Sequence, residues 1–165
     1  EGKAGFEALK VYSEKRLPHA LPLLQLGEGA HKAHDFDHIM ESLSSPKIKL
    51  ASGAWLMIEE TEAMVSIDVN SGSATEKTPL AINLEAVPEI AEQLSLRSLG
   101  GLIAIDFVDM EKEEEREKLI NSLRDEFENS PTPNRIADIS PFGVVEMTRK
   151  RPGLSWKEQA KWLDE

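Results

Sequence analysis

Gly100-Gly101-Leu102-Ile103-Ala104-Ile105-Asp106-Phe107-Val108 is the stretch on which the fold turns. An apolar run of this length after a glycine pair predicts a strand over 102–108 covered on both faces. Upstream, Leu84, Val87, Ile90, Ala91 and Leu94 recur at spacings of three and four, which predicts an amphipathic helix over 80–98. Pro88 should kink that helix or mark a first turn, and Gly100-Gly101 should end it. Downstream, a charged helix runs to about Glu128, with Leu119, Ile120, Leu123 and Phe127 on its buried side. Asp109 is placed to cap a helix beginning at Met110.

Further out, 47–50, 54–59 and 62–69 read as strands, and the small polar segment 70–79 as a loop. Pro131 and Pro133 lead into strands at 135–139 and 144–148, and 156–163 reads as a last short helix. The order β-β-β-loop-α-β-α-β-β describes a mixed β-sheet with packed helices, an α/β (α+β) layer fold. Ahead of it lie a helix over 3–16 with Phe6, Leu9 and Tyr12 or Ser13 near one stripe, and a short edge strand after Pro22. A short helix capped by Asp35 or Asp37 and stopped by Pro46 follows. The pattern changes after Pro46, which sets the expected division at 1–46 and 47–165, and the first part looks too thin in apolar content to stand alone.

Composition removes several classes of function. The 165 residues include no cysteine, so disulfides, thiolate zinc sites and cysteine nucleophiles are excluded from this chain. No apolar run approaches the roughly 18 residues of a membrane-spanning helix, and no basic-then-apolar leader is read at its start. A net charge of −11 argues against indiscriminate nucleic-acid binding. His31, His34 and His38, with Asp35 and Asp37 among them, have helix-compatible spacing, but polar histidines beside glycines read as solvated groups. Glu114 and Lys118 form an i,i+4 pair on an exposed helix face. Trp55, Trp156 and Trp162 are too dispersed for a stacking platform, and the last two read as docking the final helix. There is no phosphate-binding glycine loop, nucleophile elbow or dinucleotide fingerprint.

The chemistry is carried by carboxylates at strand ends. Asp68 and Asn70 are two apart, hence on one face of an extended segment. Asp106 closes the apolar strand. Were the two strands neighbours, Asp68 and Asp106 would repel unless a cation or a proton lay between them. Mg²⁺ or Mn²⁺ suits such oxygen ligands, and phosphoryl hydrolysis is the reaction class the pair suggests. Ordinary turn and cap duty is the alternative for each, and Asp109 is assigned to capping.

Several ordered motifs resemble the ribonuclease E/G family: Ser52-Gly53-Ala54-Trp55-Leu56-Met57-Ile58-Glu59-Glu60-Thr61-Glu62-Ala63, Ser66-Ile67-Asp68-Val69-Asn70-Ser71-Gly72, Asn83-Leu84-Glu85-Ala86, the run Leu94 to Met110, and Gly143 to Arg151. The resemblance implies a deoxyribonuclease-I-like catalytic subdomain, preceded by a remnant of a ribonuclease-H-like one. It implies a Mg²⁺-dependent endoribonuclease (Mn²⁺ a substitute) acting on single-stranded RNA, not DNA, in the cytoplasm and leaving 5′-phosphate and 3′-hydroxyl ends. Asp68 and Asp106 would hold the metal and Asn70 would assist. Arg97, Arg149 and Arg151 would be candidates for RNA backbone contacts, guanidinium matching phosphate geometry.

The family's barrel and 5′-phosphate sensor have no counterpart within these residues. Its zinc-linking cysteines are absent, so no zinc is expected, and any homo-oligomer would lack that link. The loop between Asn70 and Asn83 is shorter than is usual and carries one lysine, and Pro141 stands where a basic residue is frequent. These departures favour, as the alternative, a weak or inactive RNA-binding or assembly module of the same descent.

Overall fold

A computed structural model describes residues 2–16, 18–26 and 42–160. The chain divides into two compact units, Glu1–Met40 and Glu41–Glu165. In the first, α1 spans Gly2–Arg16. Ser13 is buried, while Leu9 and Tyr12 of the expected stripe are exposed. The expected edge strand after Pro22 is not formed: residues 24–26 have no regular structure, and a 3-10 helix spans Pro18–Leu23. Its two prolines fix φ near the helical value and lack the N–H groups that a ladder requires. His31, His34, His38 and the caps Asp35 and Asp37 lie outside the described residues.

The second unit is built on a six-stranded sheet: β1 (Lys47–Lys49), β2 (Trp55–Glu60), β3 (Val65–Asn70), β4 (Gly101–Asp106), β5 (Asn134–Ile139) and β6 (Val144–Arg149). Their spatial order is β1-β2-β3-β4-β6-β5. Only β3 and β4 pair in parallel; the other neighbours are antiparallel. The parallel pair requires a crossover, which α2 (Pro79–Leu96) supplies. α3 (Glu113–Glu128) connects β4 to β5, and α4 (Trp156–Ala160) follows β6. The expected mixed sheet with packed helices is thus the observed α+β fold.

Alternation decides which face is core. Leu56, Ile58, Val65, Ile67, Val69, Ile103, Ile105, Val145 and Met147 form one buried layer with Ile82, Ala86, Val87, Ile90 and Leu94 of α2 and Leu119, Ile120, Leu123 and Phe127 of α3. Burying one such aliphatic side chain contributes about 1.5–3 kcal/mol. The opposite face is not covered by these helices: Leu102 is 45% exposed and Asp106 is exposed. The expectation of a strand covered on both faces is corrected accordingly, because a short apolar run does not reveal how many faces are packed.

The ends of α2 are chemically specified. Thr78 caps it, its Oγ1 accepting from the Ala81 N–H at 3.3 Å, with Pro79 at the first helical position. Pro88 lies within the helix on its exposed side, where water can satisfy the carbonyl that it leaves unpaired. Leu84, expected on the buried stripe, is exposed, whereas Ile82 and Ala86 are buried. The helix ends at Leu96 with Arg97 as its C-cap, and Ser98 follows in the left-handed conformation, with φ of 54°. The Leu99 N–H reaches Leu94 O (2.9 Å) and the Ser98 N–H reaches Ser95 O (3.1 Å), the two bonds of a Schellman terminus. Gly100, expected as the terminator, serves a different purpose. A Cβ there would lie 2.9 Å from Arg151 Cα, so its absence lets 149–151 pass close by. Of the two tryptophans expected to dock the final helix, Trp156 donates from Nε1 to Ser44 Oγ at 3.3 Å, and Trp162 lies outside the described residues.

Candidate active site

The register places the acids. Asp68 on β3 is the partner of Asp106 on β4, Met57 on β2 flanks Asp68, and Val144 on β6 flanks Asp106. Met57, Asp68, Asp106 and Val144 therefore form one row on the face opposite the helices. Adjacent strands are about 4.8 Å apart, which makes the two carboxylates side-by-side neighbours. Both are exposed. Asn70 shares the face of Asp68, and its Nδ2 donates to Asp68 Oδ2 at 2.7 Å.

The pair is electrostatically uncompensated. Among the described residues no lysine or arginine forms an ion pair with Asp68 or Asp106; the cations that pair go to Glu85, Glu115, Glu113 and Asp138. Partial burial, then the charges of Asp68 and Asp109, hold the Asp106 carboxyl above the ordinary value of 3.8. Asp109 is not the expected helix cap: α3 begins at Glu113 with Lys112 at the cap position and no side-chain cap bond. Glu113, Glu114 and Glu115 provide the favourable negative charge at that terminus instead.

Two positioning residues were not anticipated from the sequence. Asn83 is fully buried in α2. Its Nδ2 donates to Val108 O at 2.8 Å and its Oδ1 accepts from the Val108 N–H at 3.0 Å, which fixes the chain two residues past Asp106. Glu85 accepts from the Ser52 N–H (2.9 Å) and from Lys77 Nζ (2.7 Å), tying the turn before β2 to the loop after Asn70. The bond to Lys77, more than the bonds to Ser52, draws its pKa below 4.5 against the opposing effect of burial. The available signal was an asparagine at a helix position whose neighbours by three and four residues are apolar.

The three arginines separate. Arg149 is 5% exposed, and its Nη1 donates to the carbonyls of Leu94 and Leu99, while Nη2 donates to Thr132 Oγ1. It braces the C-terminal end of α2, where a cation is favoured. Arg97 is 7% exposed, with Nε on Gln93 Oε1 at 2.7 Å and Nη2 on Ser42 O at 3.4 Å. Burial pulls both guanidinium groups below the ordinary arginine pKa. Both candidates for RNA backbone contacts are thus largely buried and engaged with the protein, although Arg149 Nε has no partner. Arg151 is exposed.

The donor set fits a hard divalent cation: paired carboxylate oxygens, like-charged and without a protein counter-ion. Among the described residues no three His, Asp or Glu side chains converge to hold an ion. The pair would therefore be completed by water or substrate oxygens, the usual situation for Mg²⁺. Among the described residues, no helix is long and apolar enough to cross a membrane.

Comparison with known proteins gives concordant matches. A model of the Ribonuclease E/G family matches residues 1–152. The chain is 33% identical over 159 residues to Ribonuclease G of Salmonella typhimurium, covering 92% of this chain and 32% of that protein. It is 34% identical over 159 residues to Ribonuclease G of Haemophilus influenzae, with the same coverage of 92% and 32%. Ribonuclease E of Synechocystis sp. is 43% identical over 125 residues, 73% of this chain and 18% of that protein. The chain thus spans about a third of the ribonuclease G relatives and less of the ribonuclease E relative.

Proposed function

The chain belongs to the ribonuclease E/G family, and from that premise we propose that it carries the catalytic centre of a Mg²⁺-dependent endoribonuclease acting on single-stranded RNA in the cytoplasm. The observation that supports this reading most is the Asp68–Asp106 register pair, exposed, crowded and uncompensated. Asp68 and Asp106 would hold the cation. A divalent ion bound there would polarise the phosphodiester as a Lewis acid and lower the pKa of water toward a nucleophilic hydroxide.

The chain's own residues do the rest. Asn70 fixes the Asp68 carboxylate through its amide, and its half-buried side chain at the strand end would orient a phosphate oxygen. Asn83 holds the backbone beyond Asp106 and so sets where that carboxylate sits. Arg151 is exposed, but its guanidinium lies beside Gly101 at the far end of β4 from Asp106, so any phosphate it meets would belong to a nucleotide remote from the scissile one. Attack by water at phosphorus with departure of the 3′-oxygen gives 5′-phosphate and 3′-hydroxyl products.

The test is incubation of the chain with an end-labelled, unstructured oligoribonucleotide, with Mg²⁺ or with chelator, and analysis of product ends. Cleavage in Mg²⁺ alone, with products that a 5′-phosphate-dependent exonuclease degrades, is the expected result. Cleavage undiminished by chelator, or 2′,3′-cyclic phosphate ends, would overturn it. Tight retention of uncleaved RNA would favour a binding module.

A further inference from the structure

A nuclease segment with a net charge of −11 has a problem of grip. Affinity for nucleic acid ordinarily rests on lysine and arginine displacing counterions from phosphates, and here Arg97 and Arg149 face inward. Stacking on an aromatic ring works regardless of charge, because every base has a π-face. Among the described residues two aromatic side chains stand near this end of the sheet: Trp55, the register partner of Asn70, is half-buried with Lys47 Nζ 3.9 Å from its ring centroid, whereas Phe142 is open. Phe142 is 91% exposed, more than any other large hydrophobic residue described, and it contributes nothing to the core.

Its position is fixed by a tight hairpin between β5 and β6. The Gly143 N–H donates to Ser140 O (2.9 Å) and the Ser140 N–H to Val144 O (2.9 Å). The Val144 N–H also reaches Ser140 Oγ at 3.3 Å. Gly143 has φ of +86°, a conformation that glycine adopts without strain, and Pro141 restricts the other neighbour. Two residues on from Phe142, Val144 is the register partner of Asp106. A Cβ on Gly143 would lie 3.8 Å from Asp109 Oδ1. The ring is therefore carried on a preorganised turn that adjoins the acid pair.

We propose that Phe142 is a base-stacking residue, its ring taking an unpaired base of the RNA strand next to the phosphate presented to Asp68 and Asp106. The inference rests on the endoribonuclease reading and adds to it the element that selects single-stranded substrate, since a base must leave its helix to stack. Truncating an aromatic stacking partner weakens binding by roughly five- to a hundredfold.

The experiment titrates the full chain, in chelator to prevent turnover, into single-stranded oligoribonucleotides carrying 2-aminopurine at successive positions. Wild-type protein should quench the fluorophore at one or two adjacent positions. Phe142→Ala should abolish that quench and raise Kd roughly five- to a hundredfold, with the slope of log affinity against log salt unchanged. Phe142→Trp should restore both effects and Phe142→Leu neither. An abasic nucleotide at the quenched position should weaken wild-type binding and leave Phe142→Ala unaffected. Equal affinity and equal quench in wild type and Phe142→Ala overturn the proposal, as does absence of any binding. A change in sedimentation without a change in RNA affinity overturns it too, assigning Phe142 to a protein contact. If RNA is bound with quench but stays uncut in Mg²⁺, the nuclease reading fails and the stacking residue stands. If RNA is cut equally well by Phe142→Ala, the reverse holds.

Discussion

The two ends of the central strands treat charge in opposite ways. At one end Asp68 and Asp106 stand side by side, exposed, with no cation paired to either among the described residues. At the other end, Arg149, opposite Gly101 in the register, lies buried with its donors on the carbonyls of Leu94 and Leu99. Five residues of strand, about 17 Å, separate Gly101 from Asp106. A buried guanidinium whose Nη groups the chain engages is part of the scaffold even with Nε left without a partner, and removing it exposes the cost of the carbonyls it held. Like charges left together without a counter-ion are a net cost to the fold, and a bound cation would offset it. The contrast separates charged residues that the sequence presents alike.

The largest effect expected from breaking this contrast is at the acidic end. Asp68→Asn or Asp106→Asn should lower RNA cleavage about a thousandfold or more, since a bound ion contributes several kcal/mol to the transition state. Circular dichroism should stay unchanged. Cleavage within tenfold of wild type in both variants would make the two ends equivalent.

At the opposite end the expected loss is in stability. Arg149→Met should reduce the free energy of unfolding by about 3 kcal/mol in urea titrations, because it strips two buried carbonyls of a charged donor. Lysine at 149 should recover little, as one ammonium does not reproduce the guanidinium fork. A loss below about 1 kcal/mol would show that the arginine is not bracing the helix end.

Asn83 joins the two regimes, being a scaffold residue that serves the acidic end. Asn83→Ala leaves the Val108 N–H and carbonyl without their partner and should cost about 2 kcal/mol. Cleavage, measured at a temperature where the variant is fully folded, should fall with it. Unchanged stability would show that Asn83 does not hold the chain beyond Asp106.

Much of the architecture was legible because periodicity reports burial directly. Leu119, Ile120, Leu123 and Phe127 lie on the buried side of α3 as expected. The alternation Val65-Ser66-Ile67-Asp68 likewise marks a strand with one wet face. The open face of β4 was not legible, since Leu102 and Ala104 look the same in sequence whether a helix covers them or not. Nor was the end of α2: Ser98 adopts the left-handed conformation while the adjacent glycine pair accommodates the chain at 149–151. At the site, the placing of Asp68 and Asn70 on one face followed from spacing. The register between β3 and β4 is a tertiary fact that spacing does not contain. The inward turn of Arg97 and Arg149 is tertiary as well, set by carbonyls up to 55 residues away.

The smallest predicted effect concerns pH. Because Asp106 titrates above 3.8 in the folded chain, the folded state holds more protons than the unfolded one between that value and the raised one. Stability therefore falls as pH rises through this window and remains lower above it. Asp106→Asn should be slightly more stable than wild type at neutral pH, by less than about 1 kcal/mol for an exposed group. The advantage should vanish below pH 3.8. A variant less stable than wild type at pH 7 would indicate that the carboxylate is already neutralised.

The most direct measurement is an anomalous difference map from a crystal of the chain soaked in Mn²⁺. A single strong peak between the carboxylates of Asp68 and Asp106, absent from Asp106→Asn crystals treated alike, is the result expected. Saturating Mn²⁺ with no density there, or with the two carboxylates turned apart and bridged by a lysine or arginine, would contradict it.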